Sequence, residues 1–234
     1  MFNGQYFSVI MPIYNEEHTV GKMIKRVLAQ KTVDMLILVY EPSTDNTLTE
    51  IKKAIAGRKN AVLLINKERM GKGYSVRRGI DYVKKGIIII QDADEEYSPE
   101  DYDILLAKFD KKTPVFGMRK FISGHRYVLG SYANNLHTFL FNLLFRQNVK
   151  DINVCYKLFT KDMIKDHKFV ENGWKFDMEL AILLAKNNYK IKNAPIHYKG
   201  RTFDQGKKIG ASAAVGFIFY IIGAWLLFVI KKKQ

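Results

Sequence analysis

The fold of this 234-residue chain is decided by the stretch Ile87-Ile88-Ile89-Ile90-Gln91-Asp92-Ala93-Asp94. Four consecutive β-branched apolar residues are typical of a strand that is buried on both faces, as in a parallel sheet. The strand ends in two carboxylates, Asp92 and Asp94, and ligands of open α/β sheets bind beyond the carboxyl ends of the strands. The stretch therefore predicts an α/β fold with an acidic ligand site. The alternative is a strand followed by a solvated acidic turn.

Strand and helix patterns alternate on the N-terminal side of this stretch. Asn15 is predicted to cap the first helix. The alternation predicts a mostly parallel, Rossmann-like sheet flanked by helices. The predicted strands cover residues 7–11, 35–39, 62–65, 114–118, 154–159 and 191–198, besides 87–90. The predicted helices after the first one cover residues 46–56, 74–84, 104–109, 132–145 and 177–187.

Composition narrows the classes of function. The chain has 38 Lys and Arg against 23 Asp and Glu, a net charge of +15. This charge indicates an anionic partner, which is nucleic acid, anionic lipid or a phosphorylated substrate. The single cysteine, Cys155, cannot form an internal disulfide, which suits a reducing compartment. The five histidines lack the spacing of metal ligands, which argues against a zinc site.

The C-terminal part contains an apolar, charge-free stretch, residues 209–230, between basic residues. Its length is sufficient to cross the hydrocarbon core of a bilayer. Residues 209–234 are therefore predicted to be a membrane-associated helical segment that spans, forms a re-entrant hairpin or lies in the interface. A buried C-terminal helix is the alternative. Residues 1–208 are predicted to be one domain facing the cytoplasm, because the chain enters its first strand without a signal-peptide pattern.

Six further motifs lie at strand ends, helix starts and in the last loop before the apolar stretch. Taken singly, each is also compatible with an ordinary turn, helix start or surface charge. In chain order they are Met11-Pro12-Ile13-Tyr14-Asn15-Glu16, Val39-Tyr40-Glu41-Pro42-Ser43-Thr44-Asp45, Arg69-Met70-Gly71-Lys72-Gly73 with Arg77 and Gly79, Gly117-Met118-Arg119-Lys120, Phe176-Asp177-Met178-Glu179-Leu180, and Arg201-Thr202-Phe203-Asp204-Gln205-Gly206-Lys207-Lys208.

In this order, the motifs resemble those of the inverting family-2 glycosyltransferases of the GT-A fold, and among them the polyprenol-phosphate (dolichol-phosphate) sugar synthases. The resemblance covers about residues 7–208. It implies a GT-A domain followed by a membrane-associated segment, and a metal-dependent hexosyltransferase of the mannosyl or glucosyl type. One motif departs from the family, which often has two aspartates where this chain has Tyr40 and Glu41. The identity of the donor base depends on this departure.

The resemblance also implies roles for individual residues. Asp92, Asp94 and Glu96 would hold Mg²⁺ or Mn²⁺ on the donor diphosphate. Arg119 would contact the acceptor phosphate and Asp177 would face the acceptor side, so that Asp92, Asp94, Arg119 and Asp177 are the predicted catalytic residues. The GDP- or UDP-sugar donor would be bound by Pro12, Tyr14, Glu16, Glu41, Lys72, Arg77, Arg201, Lys207 and Lys208.

The predicted class of acceptor depends on whether the acceptor group is already ionised at neutral pH. A hydroxyl acceptor needs a general base, whereas a phosphate monoester is already ionised at neutral pH, since its second pKa is about 6. The sequence has no strong His–Asp base motif and offers cations, including Arg119 and Arg126, for a phosphate. The predicted function is sugar transfer, with inversion, from a nucleotide-sugar to a polyprenyl phosphate at the cytoplasmic face of a membrane. Asp151 and Asp177 are the base candidates if the acceptor is a hydroxyl.

Three alternatives remain at this point. The first is a GT-A enzyme that glycosylates a hydroxyl of a glycan or lipid-linked saccharide. The second is a catalytically inactive GT-A module that acts as a membrane partner. The third is a nucleic-acid-binding protein, which is disfavoured because the positive charge is spread along the chain and concentrated in the tail rather than forming one basic face with interleaved aromatics. The predicted partners are therefore a nucleotide-sugar, a polyprenyl phosphate and membrane lipids, without nucleic acid.

Overall fold

The computed structural model describes residues 1–121, 128–200 and 211–232. Its centre is a seven-stranded sheet with the strand order β3-β2-β1-β4-β6-β5-β7. The strands are β1 (Phe7–Ile13), β2 (Met35–Tyr40), β3 (Ala61–Ile65), β4 (Ile87–Ile90), β5 (Val115–Phe121), β6 (Lys157–Thr160) and β7 (Lys192–Tyr198). The helices are α1 (Val20–Ala29), α2 (Thr47–Ile55), α3 (Lys72–Tyr82), α4 (Tyr102–Lys108), α5 (Val128–Phe145), α6 (Phe176–Lys186) and α7 (Ala211–Lys232).

The sheet is mixed but mostly parallel, as the sequence predicts. The strands β1 to β4 are mutually parallel, and β7 is parallel to β5. Among the strands that the structure describes, only β6 runs antiparallel to both of its neighbours, β4 and β5. Because β6 reverses direction, it pairs with the central strand β4. Both halves of the chain therefore contribute residues to one edge of the sheet.

The isoleucine strand β4 lies at the centre of this sheet. All four of its isoleucines are fully buried. On one side Ile87 pairs with Phe7 of β1, and on the other side Ile89 pairs with Leu158 of β6. This burial on both faces explains why the sequence needs an uninterrupted β-branched run here, and it confirms the prediction. The carboxyl ends of β1, β2 and β4 lie at the same edge of the sheet.

The predicted cap of the first helix is wrong. The helix α1 begins only at Val20, and Asn15 has a φ of 51°, in the left-handed region that asparagine tolerates. Its side chain bonds to the loop after β2 instead, with Nδ2 3.1 Å from Thr44 Oγ1 and Oδ1 3.0 Å from Thr44 N. Asn15 therefore joins two strand-end loops. The strand predicted over 154–159 is also shorter, since β6 begins at Lys157.

The C-terminal segment is one continuous helix, α7, rather than a re-entrant hairpin. It packs against α5 and α6. Its side chains Phe217 and Ile221 are buried, and the Phe217 ring lies 5.5 Å from the ring of His137 on α5. Within the parts of the chain that the structure describes, no helix is both long and apolar enough to span a bilayer. The division into residues 1–208 and 209–234 stays a prediction.

Candidate active site

The two aspartates after β4 lie at the carboxyl edge of the sheet and follow a residue that two buried tyrosines hold in place. The preceding residue, Gln91, accepts hydrogen bonds at Oε1 from the hydroxyls of Tyr102, at 2.6 Å, and Tyr156. Asp94 is 6% exposed, and its Oδ1 accepts a hydrogen bond from Glu96 N at 3.1 Å. The positions of these carboxylates are therefore fixed by the fold rather than by a flexible turn.

Lys72 connects Asp92 to a buried group of charges. Lys72 Nζ lies 2.8 Å from Asp92 Oδ1 and 3.5 Å from Asp177 Oδ2. Burial alone would lower the pKa of Lys72, but the attraction of Asp177 and Asp92 outweighs it and raises the pKa well above its ordinary value. Lys72 is thus a permanent cation beside the first of the two acids.

Lys157 completes this group, although no sequence motif pointed to it. The residue is fully buried. Its Nζ lies 3.2 Å from Asp177 Oδ1 and also donates to Val154 O. Two lysines and two aspartates therefore form a neutral cluster, the charge quartet Lys72, Asp92, Lys157 and Asp177, which joins α3, β4, β6 and α6. The sequence did contain a signal for this ion pair, namely a lysine inside the apolar run 154–159, because a charged residue in a buried strand requires a partner.

Glu41, one of the two residues that depart from the family pattern, has a structural role in this chain. The side chain is 3% exposed. Its Oε1 accepts hydrogen bonds from Met70 N at 3.1 Å, Gly71 N at 2.6 Å and Ser75 Oγ at 3.1 Å. Glu41 thus orders the turn that positions Lys72, a task for which the extra methylene of glutamate provides reach. A direct contact of Glu41 with the nucleoside stays a prediction.

A loop before α6, residues 167–174, packs on the start of α3. Glu179, on α6, holds this loop by accepting hydrogen bonds from Val170 N and Glu171 N, both at 3.0 Å. Arg77 donates to Phe169 O and to Asn172 Oδ1. The predicted donor residue Arg77 therefore braces this loop, and its predicted contact with the donor is untested.

Gly73 is the point of closest approach between α3 and this loop. A Cβ at position 73 would overlap Glu171 O and lie 2.8 Å from Phe176 Cβ. We expect Gly73→Ala to lower the free energy of unfolding by about 1–3 kcal/mol, because backbone must shift to admit the methyl group. Gly173→Ala, in the same loop, is the control, since a Cβ there meets nothing within 4 Å. Urea denaturation checks the pair, and equal stabilities would contradict this packing.

Arg119, the predicted acceptor residue, lies on β5 in a partly buried ion pair. Its Nε is 2.5 Å from Asp151 Oδ2 and its Nη2 is 2.9 Å from Asp151 Oδ1. Burial opposes the charge of Arg119, but Asp151 outweighs burial and keeps the pKa of the guanidinium well above its usual value. The guanidinium also lies 4.9 Å from the centroid of the Tyr198 ring, and Tyr198 donates to Glu96 Oε2 at 3.0 Å. Arg119 is thereby tied to the acidic end of β4.

The end of β1 and the loop that follows it lie at the same edge of the sheet as the carboxyl end of β4. Pro12 lies in β1, paired with Val39. The guanidinium of Arg69 lies over the Tyr14 ring, 4.1 Å from its centroid, and Glu16 Oε2 accepts a hydrogen bond from the Thr19 hydroxyl at 2.8 Å. The stacked Arg69 is a second residue that sequence reasoning missed. The remaining predicted residues, Arg201, Lys207 and Lys208, and the cation Arg126, lie outside the described residues.

Cys155 lies beside the quartet without being suited to nucleophilic catalysis. Its Sγ is 3.5 Å from Ile90 O. Burial, followed by the nearby Asp92 carboxylate, raises the pKa of the thiol well above its usual value. The thiol therefore stays protonated at neutral pH, whereas nucleophilic attack needs the thiolate.

Comparison with known proteins identifies the family. The family described as Glycosyl transferase family 2 matches residues 8–168. The chain belongs to this family. It is a glycosyltransferase, as the order of its motifs predicts. Its mixed, mostly parallel sheet flanked by helices is a GT-A fold.

Among the relatives of this family-2 enzyme are two dolichyl-phosphate beta-glucosyltransferases. One, from Trichomonas vaginalis, is 25% identical over 94% of this chain and 75% of its own length. The other, from Drosophila melanogaster, is 26% identical over 97% of this chain and 79% of its own length. Both of these distant similarities extend over almost the whole chain.

Among solved structures, the fold is similar to that of glucosyl-3-phosphoglycerate synthase from Mycobacterium tuberculosis. A complex of that protein with Mn²⁺, UDP and phosphoglyceric acid has a TM-score of 0.70 at 18% identity, covering 94% of this chain and 79% of that chain. A complex with Mg²⁺ and UDP has a TM-score of 0.69 at 18% identity, covering 94% and 80%. At these identities the likeness concerns the fold alone.

Proposed function

We propose that this enzyme transfers glucose from UDP-glucose to a polyprenyl phosphate at the cytoplasmic face of a membrane, with inversion at the anomeric carbon. The observation that carries the proposal is the pairing of both base candidates. Asp151 holds Arg119 through two hydrogen bonds, and Asp177 is paired with Lys72 and Lys157. Both carboxylates are thus engaged by cations of the protein rather than placed to take a proton from an acceptor hydroxyl, so this site suits an acceptor that is already ionised.

The names of the relatives support the choice of sugar and acceptor. Two distant relatives are dolichyl-phosphate beta-glucosyltransferases, and a protein of similar fold binds UDP. The sequence alone left mannose and guanine nucleotides open as alternatives. Glucose and uracil are therefore the first choices, and GDP-mannose is the comparison donor.

The residues after β4 fit a Mg²⁺ or Mn²⁺ ion that is shared with the donor. Mg²⁺ is commonly bound by one or two carboxylates together with substrate phosphates, and Asp92 and Asp94 supply two carboxylates at one edge. Within the described residues there is no group of three His, Cys, Asp or Glu that could hold a metal alone. A metal ion that takes its remaining ligands from the donor diphosphate is consistent with this absence. When bound, it neutralises charge on the leaving diphosphate. Glu96 as a third ligand stays a prediction.

Cations of this chain would orient the two phosphate-bearing substrates. Lys72, fixed beside Asp92, is suited to contact the donor diphosphate, and Arg119 is suited to face the acceptor phosphate. Arg201, Lys207 and Lys208 are proposed to bind the donor. Each of these contacts supplies positioning and electrostatic stabilisation, which is what a pre-ionised nucleophile requires from a site.

The membrane is proposed to contact two exposed apolar rows on packed helices. On α5 the row is 44–69% exposed and follows one helical face: Tyr132, Leu136, Phe139 and Leu143. On α7 the corresponding row is Val215, Phe219, Ile222, Leu226 and Ile230, with Leu227 beside it. Two ammonium groups flank α7, Lys175 near the Tyr220 ring and Lys186 near the Phe228 ring. Apolar rows beside basic groups are typical of helices that lie in the interface of an anionic membrane.

We expect the double variant Phe219→Glu, Leu227→Glu to bind vesicles at least about tenfold more weakly, because each side chain loses roughly 1.5–3 kcal/mol of apolar burial. Co-sedimentation with vesicles of phosphatidylcholine and phosphatidylglycerol measures the affinity. Ile65→Glu, at the exposed end of β3, is the control. Unchanged binding of the double variant would contradict this membrane contact.

The acceptor is tested by supplying labelled UDP-glucose and Mn²⁺ with three acceptors in separate reactions. These are a short polyprenyl phosphate, a lipid-linked saccharide and phosphoglyceric acid. We expect label on the polyprenyl phosphate. Transfer to the saccharide or to phosphoglyceric acid, but never to the polyprenyl phosphate, would establish a hydroxyl acceptor and contradict the proposal.

A further inference from the structure

We propose that Trp174 forms a stacking surface for the hexose ring of the donor and thereby contributes to sugar specificity. This inference rests on the proposed function, since it assumes that a nucleotide-sugar binds at Asp92 and Asp94. Neither the motifs nor the family assignment point to Trp174.

The position of Trp174 suits a group attached to the donor diphosphate. The indole ring centroid lies 5.1 Å from Lys72 Nζ, and that atom lies 2.8 Å from Asp92 Oδ1. The indole centroid is therefore within about 8 Å of the acid that is proposed to share a metal with the diphosphate. In a nucleotide-sugar, the hexose is joined directly to this diphosphate.

The indole is exposed at this charged edge rather than packed in the core. Its residue exposure is 38%, whereas Phe176, two positions on, is 1% exposed. Lys72 Nζ lies over one face of the indole, and the exposed remainder of this large side chain is open to a ligand. Core packing therefore does not account for the tryptophan at this position.

The loop that carries Trp174 is rigidly held. Its members Val170 and Glu171 donate backbone hydrogen bonds to Glu179, and Tyr74 N donates to Asn172 O at 3.1 Å. Arg77 adds bonds to Phe169 O and Asn172. A ring presented on a braced loop loses little conformational freedom when a ligand binds. By bracing this loop, Arg77 and Glu179 would fix the position of the stacking surface.

The chemistry of the two partners is complementary. In UDP-glucose the anomeric oxygen is axial on one face of the ring, whereas the opposite face carries axial C–H groups at C2 and C4, because the hydroxyls at C2, C3 and C4 are equatorial. Such a face is apolar and slightly positive, and it matches the negative face of an indole. An epimer with an axial hydroxyl on that face, such as galactose with its C4 hydroxyl, places oxygen there and weakens the contact. Stacking on Trp174 would therefore favour glucose.

The test compares Trp174→Ala and Trp174→Phe with Val170→Ala, an exposed apolar residue of the same loop. We expect Trp174→Ala to lower kcat/KM for UDP-glucose about tenfold and Trp174→Phe to lower it only about threefold. The affinity for UDP, which lacks the sugar, should change less than twofold. The preference for UDP-glucose over UDP-galactose should fall in Trp174→Ala. Val170→Ala should match the wild type in each assay.

Fluorescence gives a second readout that does not depend on turnover. The chain has two tryptophans, so Trp225→Phe leaves Trp174 as the reporter. UDP-glucose should shift its emission more than UDP does. Trp174→Ala with wild-type affinity for UDP-glucose and unchanged transfer would overturn this inference and leave the proposed function intact. A wild-type protein that binds no UDP-sugar would instead overturn the proposed function.

Discussion

Replacing Asp94 with asparagine should lower the rate of sugar transfer about 10²–10³-fold, the usual effect of removing one group that stabilises transition-state charge. The reason is that Asp94 supplies one of the two carboxylates proposed to share a metal ion with the diphosphate. Asparagine keeps the oxygen that accepts the hydrogen bond from Glu96 N, so the fold should remain. Steady-state transfer from UDP-glucose at saturating Mn²⁺ measures the effect.

The control for this variant is Glu95→Gln, because Glu95 is the neighbouring acid and pairs with Lys22 at the surface. Glu95→Gln should keep near wild-type activity. If Asp94→Asn retained more than about a tenth of the wild-type rate, the expected loss would be absent and the carboxylate would not hold the diphosphate. If the wild type transferred nothing, the alternative of an inactive module would regain support.

Replacing Lys157 with methionine should lower the free energy of unfolding by about 3 kcal/mol, the low end for breaking a buried ion pair. The value is at the low end because Lys72 remains near Asp177. Adding Asp177→Asn should recover part of the loss, since it removes the uncompensated charge. Urea denaturation of the single and double variants measures both effects.

The matched control is Lys192→Met, because Lys192 forms an ion pair with Asp110 in which both side chains are about half exposed. Exposed ion pairs contribute about 0–1 kcal/mol, so this variant should be nearly neutral. A Lys157→Met protein that is no less stable than Lys192→Met would contradict the structural role of the charge quartet.

The elements of the fold that are determined by neighbouring residues could be predicted from the sequence. The isoleucine run could be assigned to a doubly buried strand because burial on both faces demands such a run. The two acids could be assigned to the ligand edge because strand direction fixes which end they occupy. The resemblance to family-2 glycosyltransferases rested on the order of short motifs, which also needs no knowledge of contacts.

The sequence could not predict which distant side chains pair. Asn15 was predicted to cap a helix because its actual partner, Thr44, belongs to another loop and is distant in sequence. Lys157 went unnoticed because its partner Asp177 is 20 residues away. Asp151 read as a base candidate because Arg119, its partner, is 32 residues away. In each case the chemistry of a polar side chain is decided by the group it contacts, and long-range contacts are not visible in a single sequence.

The proposed function requires that a UDP-sugar transfers its sugar directly to a membrane-bound phosphate, with inversion. The most direct test is the structure of the product formed from UDP-glucose and a short polyprenyl phosphate, determined by mass spectrometry and by the coupling constant of the anomeric proton. Since glucose is α-linked in UDP-glucose, the account predicts a polyprenyl phosphate carrying one β-linked glucose. An α-linked product, or glucose found only in free form or on a hydroxyl, would contradict it.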